Sequence, residues 1–321
     1  MAGMSSDNYV RGLYRGILGR EADPEGLAAF VSLIEKTGDP TVVLEHLLAS
    51  AEYASRVSQP AFDEKFIPIC LSRMSGRPIT IVDVGAQMLG SEAHIYQPLC
   101  RPDIPHRITG FEPLADRVQE REANEGGGSL TLLPYAIGDG RGHTLNVNNE
   151  DATSSIFPLN RPLNAHFEHL HSLKTVRTLP VETVTLDQAL DDQPVDFLKL
   201  DIQGAELLAL QGAEQVLTRT NVVHCEVEFA PLYEGQDLFP EIQTFLNARG
   251  FSLIDILVAH RYAYVTKAGI DSRDRLLWAD AIFFRETSKV DILAAQTLIA
   301  GLVYRKPSLA QFLIERADCG D

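Results

Sequence analysis

The sequence predicts an α/β Rossmann-like fold with a mostly parallel seven-stranded sheet, preceded by a small all-α N-terminal domain. Three observations predict it. From Ile79 onward, runs nearly continuous in Val, Ile and Leu alternate with helix-length segments, the pattern of a parallel sheet covered on both faces. Glycine and acidic residues gather at the carboxyl ends of those runs, where open α/β sheets bind ligands. Before them, residues 7 to 58 keep a helical period instead.

In chain order, Tyr9, Leu13, Ile17 and Leu18, then Leu27, Phe30, Val31 and Ile34, then Val43, Leu44, Leu47 and Leu48 mark three short helices. Asp23-Pro24 is a helix start, with Asp as cap and Pro in the first turn. This gives a helical module over 1–58 and a linker over 59–78. The strand candidates beyond it are ITIVDVGA, RITGFEP, LTLLPYAIGD, VDFLKLDIQG, NVVHCEVEF, FSLIDIL and DAIFFR. Helices are expected over 114–124, 205–218 and 240–249. No helix separates the last two strands, so an antiparallel edge strand is expected. The α/β domain spans 79–286, and a helical extension split at Lys306-Pro307 fills 287–321.

Composition narrows the function. The chain has 321 residues and a formal net charge of −16, a balance that disfavours nucleic acid as a partner. No apolar run reaches the length of a membrane span, and MAGMSSDNYV lacks the features of a signal peptide, so membrane insertion is not expected and the expected location is cytoplasmic. Cys70, Cys100, Cys225 and Cys319 are widely spaced, which argues for reduced thiols and against a zinc site.

The strand ends carry the candidate chemistry. The first ends in Asp83, Gly85 and Ala86 without a G-x-G-x-x-G run, so no pyrophosphate is cradled there and S-adenosylmethionine suits the site better than NAD. Asp83 either contacts the cofactor's amino-acid end or caps the turn from within. The second ends in Glu112-Pro113, a carboxylate placed to accept ribose hydroxyls. After the third, Ala136 and Ile137 can flank an adenine, and Asp139 either reaches its amine or makes a turn with Gly140. The fourth ends in Lys199 and Asp201, where methyl group and acceptor should meet, and Glu206 reads as a helix-start carboxylate. The fifth carries His224, Glu226 and Glu228 at period two on one face. They bind a polar acceptor, supply a base, hold a divalent metal, or face water at an edge. His166, His169 and His171 form a weak metal signal within a polar segment that reads as a surface loop over the site.

Two resemblances add to these readings. LYRGILGREADPEGLAAFV followed by LLASAEY resembles a small helical family of unknown function with an LYR-x-x-LGR-x-x-D-x-x-G signature. It implies a module for a protein partner or self-association. IVDVGA, GFEP, LLPYAIGDGRG, DATSSIF, VETVTLDQAL, LKLDIQGAELLALQGAEQVL and WADAIFFR resemble, in order and spacing, the FkbM family of methyltransferases. That resemblance implies S-adenosylmethionine as cofactor and O-methylation of a hydroxyl on a sugar, glycan or related natural product. It maps Gly85, Glu112 and Asp201 to the cofactor pocket and Ser154 and Ser155 to a serine pair near the active site. The chain departs from the common pattern after Ala86, with Gln87 and a glycine delayed to Gly90, which makes Tyr96 a candidate pocket residue. A hydroxyl acceptor needs a base, for which Asp201, His224 and Glu226 are the candidates. The rival readings are an inactive binding module on the same fold and a nicotinamide oxidoreductase.

Overall fold

The computed structural model describes residues 5–50, 53, 59–87, 93–125 and 127–318. The chain divides into two compact units, residues 1–68 and 69–321.

In the first unit, helices Ser6–Leu13, Pro24–Thr37 and Thr41–Leu48 are present, the first running on into a π turn over Tyr14–Leu18. Asp23 caps the second: its carboxylate accepts from the Gly26 N–H at 2.7 Å, with Pro24 in the first turn. Val10, Tyr14, Leu18, Val43 and Leu47 close a small core. Arg15 and Arg20 pair with Glu21 and Asp23 at the surface. Where a linker was expected, residues 59–73 form helix Gln59–Arg73, and the division between units falls inside it.

The second unit holds a seven-stranded sheet. Its strands are β1 (Ile79–Val84), β2 (His106–Phe111), β3 (Leu130–Leu133), β7 (Val195–Leu200), β8 (Thr220–Glu228), β9 (Phe251–Tyr262) and β10 (Arg275–Arg285). Across the sheet they stand in the order β3-β2-β1-β7-β8-β10-β9. Each overlaps one of the seven runs expected, but LTLLPYAIGD is not one strand: β3 takes only Leu130–Leu133, and Ala136–Ile137 pairs in a second sheet. β1, β2, β3, β7 and β8 pair in parallel, while β10 is antiparallel to both neighbours. The antiparallel strand is therefore internal, and β9 is the edge. Burial explains the order: Ala279, Ala281, Ile282 and Phe283 of β10 are fully buried, whereas Val258 near the end of β9 is 59% exposed. A small second sheet of β4 (Ala136–Ile137), β5 (Gly142–Asn148) and β6 (Thr175–Val184) is an addition.

The helix expected over 205–218 is two, Glu206–Gln211 and Glu214–Thr218. The break has a cause: Gly212 lies so close to the Gly138 carbonyl that a Cβ would sit 2.6 Å from it. Asp187 then accepts from the N–H groups of Gln215 and Val216 and starts the second helix afresh. The C-terminal helices, Val290–Leu298 with its π turn to Val303 and Pro307–Asp318, are part of this unit's cover rather than an appendage. Leu293 to Leu302 are buried, and the Gln296 amide donates to the Asn221 and Arg285 carbonyls.

The amino ends of the central strands are tied by fully buried Asp196. It accepts from Arg77 at 2.7 and 2.9 Å, from the Thr80 N–H at 3.0 Å and from the Asn221 amide at 2.7 Å. Removing this carboxylate strands three buried or half-buried donors. Asp196→Ala is expected to lower the unfolding free energy by about 3–5 kcal/mol. Urea unfolding followed by the fluorescence of Trp278, the chain's single tryptophan, checks this.

Candidate active site

The chain runs from β1 outward to β3 on one side and returns to β7 on the other, so the strand order reverses between β1 and β7. At that point Gly85 has φ of +80°, and a Cβ on it would lie 1.9 Å from the Asp201 carbonyl. Only glycine lets the two strand ends approach this closely. A cavity of about 600 Å³ opens here, walled by Gly85, Glu112, Pro113, Ala136, Ile137, Ser154, Ser155, Lys199, Asp201, Glu226 and Glu228 among others.

Beneath its floor lies a buried polar cluster. Asp83, fully buried, accepts from the Tyr96 hydroxyl at 2.6 Å and from Arg121 at 2.9 Å, with the Lys199 ammonium 3.3 Å away. Arg121, itself fully buried, also donates to the Ala86 carbonyl and to Tyr96. Although burial opposes ionisation, Lys199 and Arg121 hold the Asp83 carboxyl below its ordinary range. Asp83, Ala86 and Tyr96 thus brace the cavity from below and do not form its wall. Two polar atoms at such depth satisfy each other before they can satisfy a ligand.

On the β2 side, Glu112 is 6% exposed and accepts from the Leu114 N–H at 2.9 Å through Oε1. Burial raises its pKa. Pro113 follows it, and Ala136 and Ile137 give an apolar surface beyond. Asp139 is not in the wall: it accepts from the Arg141 N–H and lies 2.8 Å from His143, so it serves the turn rather than an adenine amine.

On the β7–β8 side, Asp201 lies 3.3 Å from the Lys199 ammonium. Gln203, at φ of +56°, donates its amide to Asp201 at 3.0 Å and to Glu226 at 2.6 Å, and accepts from the Tyr233 hydroxyl at 2.8 Å. The Ser155 hydroxyl donates to the Gln203 carbonyl, and the Ser154 hydroxyl accepts from the Asn148 N–H. Burial, then nearby carboxylates, push Glu226 and Glu228 well above the carboxylate range, and burial lifts Asp280 to about 6. Gln203, Tyr233, Trp278 and Asp280 were not singled out from sequence. The signal was present in LDIQGAE and in the alternation of WADA, which sends Trp278 and Asp280 to one face.

His224 shares the face of Glu226 and Glu228 but does not reach the cavity. It is 3% exposed, stacked at 6.0 Å from Phe197 and 6.1 Å from Tyr304, and burial depresses its pKa to about 4. The imidazole is held neutral in an aromatic stack behind the wall, with its Nε2 3.7 Å from Asp280. β8 is buried along its whole length, so this face is not a solvated edge. Nor is the segment carrying His166, His169 and His171 a free loop. Phe167, Leu170 and Leu173 pack with Leu232, Tyr233 and Leu277 in a small core, and Asn160 and Asn164 donate to the Pro231 and Leu232 carbonyls. Among the described residues, no group of His, Cys, Asp and Glu side chains is arranged to hold a metal. Gly90 lies outside the described residues.

A parallel sheet with a glycine-opened switch point, a carboxylate at the end of its second strand and an apolar ledge beyond defines a nucleoside-binding α/β enzyme. A family model described as the Methyltransferase FkbM domain matches residues 83–253, more than half of the chain, and the chain belongs to that family. It is a methyltransferase, and its cofactor is S-adenosylmethionine. It is 27% identical over 207 residues to 2-O-methyltransferase NoeI of Sinorhizobium fredii (strain NBRC 101917 / NGR234), covering 60% of this chain and 84% of that protein. Among solved structures it is similar to 1,6-didemethyltoxoflavin-N1-methyltransferase of Burkholderia thailandensis (13% identity, 84% and 92% covered, TM-score 0.33). Another is Precorrin-6y C5,15-methyltransferase of Geobacter metallireducens GS-15 (12% identity, 68% and 88% covered, TM-score 0.33).

His224 gives a test of the core beneath the site. Its folded pKa, about 4, lies below the roughly 6.5 of an unfolded histidine. Its contribution is therefore complete above pH 6.5 and is lost as pH falls toward 4. His224→Phe keeps the stack and removes the titration. The unfolding free energy of the native protein minus that of the variant should fall by up to about 3 kcal/mol between pH 7 and pH 4. Urea melts across that range measure it.

Proposed function

We propose that the protein transfers the methyl group of S-adenosylmethionine to a hydroxyl of a sugar, a glycan or a related natural product. One observation carries this reading: a single cavity runs from Gly85 and Glu112 to Asp201 and Glu226, two carboxylates bridged by the Gln203 amide. The NoeI relative is named as a 2-O-methyltransferase, which agrees with a hydroxyl acceptor.

Bound cofactor supplies an electrophilic methyl on a sulfonium, so the protein's tasks are positioning and proton removal. The backbone at Gly85 allows close approach. Glu112 accepts ribose hydroxyls. Asp201 accepts the acceptor's hydroxyl proton as the oxygen–carbon bond forms and the carbon–sulfur bond breaks. Lys199 beside Asp201 balances its charge. Burial shifts Glu226 toward its protonated form, and it stands beside Asp201 as the second carboxyl of the pair. Ser154, Ser155, Lys199 and Glu228 face the acceptor. The LYR-x-x-LGR module over 1–58 serves a protein partner or self-association, in a protein that works in the cytoplasm.

Glu112→Ala should weaken S-adenosylmethionine binding by about 10–100-fold, the value of one or two charge-assisted hydrogen bonds, as read by calorimetry. Asp201→Asn should lower kcat by about 100-fold or more while the cofactor affinity stays within a few-fold. Unchanged turnover in a radiolabelled-methyl assay sinks the assignment of Asp201 as base.

A further inference from the structure

The acceptor end of the cavity is short of positive charge. Asp201, Glu226, Glu228 and Asp280 all stand in its wall. Among the described residues, Lys199 is the one lysine or arginine facing them, and it is already 3.3 Å from buried Asp83. Glu226 and Asp280 are direct cross-strand neighbours on β8 and β10, a like-charge placement that costs stability. Glu226 has the Gln203 amide. Glu228 is 1% exposed, and its Oε2 has no hydrogen-bond partner, although the Gln236 amide lies beside it. Buried Glu206 sits behind it and adds to the repulsion. A buried carboxylate with one oxygen unpaired is costly. The same wall includes Tyr233, Tyr262 and Trp278, with Trp278 the cross-strand neighbour of Glu228 and His260 stacked 3.4 Å from the Trp278 ring.

We propose that this end of the cavity is a subsite for a protonated amine: the molecule that is methylated carries an ammonium group that seats against Glu228 and Glu226. The inference rests on the proposed acceptor, a small polar molecule held beyond Asp201, and names its charge. An ammonium brings both missing components, N–H donors for the unpartnered oxygen and a charge to offset the acidic excess. A neutral hydroxyl brings only the donors. Tyr233, Tyr262 and Trp278 add to the same wall aromatic surface of the kind that attracts cations. Burial and the neighbouring acids make the charged forms of Glu226, Glu228 and Asp280 costly in the free protein, and an ammonium offsets that cost.

The test uses the full chain and one ring in three charge states: the methyl glycosides of glucosamine, glucose and glucuronate. S-adenosylhomocysteine affinity is measured first, so failure of the methyltransferase reading appears there and is separate from the glycoside titrations. With that nucleoside saturating, each glycoside is titrated by saturation-transfer NMR. Glucosamine is expected to bind at least tenfold more tightly than glucose, with no saturable binding of glucuronate. Glu228→Gln should abolish the preference and raise the Tm of the free protein, because the unpaired charge is gone. Asp280→Asn is a second variant with the same two expected effects. Equal binding of glucosamine and glucose, no binding of any of the three, or a preference that survives both variants overturns the proposal. So does a saturable magnesium or manganese site that the same substitutions remove.

Discussion

The active end of this molecule depends on one buried ion cluster. Asp83 holds Arg121 from the helix after β2, Lys199 from β7 and Tyr96 from the segment between β1 and β2. These elements come from separate stretches of the chain, and that carboxylate joins all three at the switch point. Burying such a set demands near-complete pairing, since the loss of one partner leaves an uncompensated charge in an apolar floor. The reward is rigidity: with the floor fixed, Gly85 can sit against the Asp201 carbonyl and leave an open cavity above.

The sheet itself was legible in the sequence. Parallel strands buried on both faces write themselves as continuous Val, Ile and Leu, and all seven were found. Their order at the β9–β10 side was not, because nothing in a strand's own composition says which neighbour it inserts between. The split at Gly212 was hidden for a similar reason: its cause is a carbonyl more than seventy residues away. Strands β5 and β6 of the small sheet were missed because they are partly exposed and polar, and β4 was read as the continuation of β3.

The site was legible where a residue's position along its strand determines its direction. Gly85, Glu112, Asp201, Glu226 and Glu228 reach the cavity, as do Ser154 and Ser155. Asp83, Tyr96 and His224 lie deeper than the cavity wall, and Asp139 is taken up by its own turn. A strand's period places a side chain on a face but gives no distance to the strand's end, and His224 lies four residues behind Glu228, under Tyr304. Gln203 went unnoticed because its importance is relational: two acids and a tyrosine converge on one amide.

The segment over 156–173 has a core of its own. Phe167, Leu170 and Leu173 close against Leu232, Tyr233 and Leu277, apart from the hydrophobic core under the main sheet. Leu159, Leu170, Leu173, Leu232 and Tyr233 of that cluster also line the cavity, so this part of the wall is held by packing separate from the core beneath the strand ends.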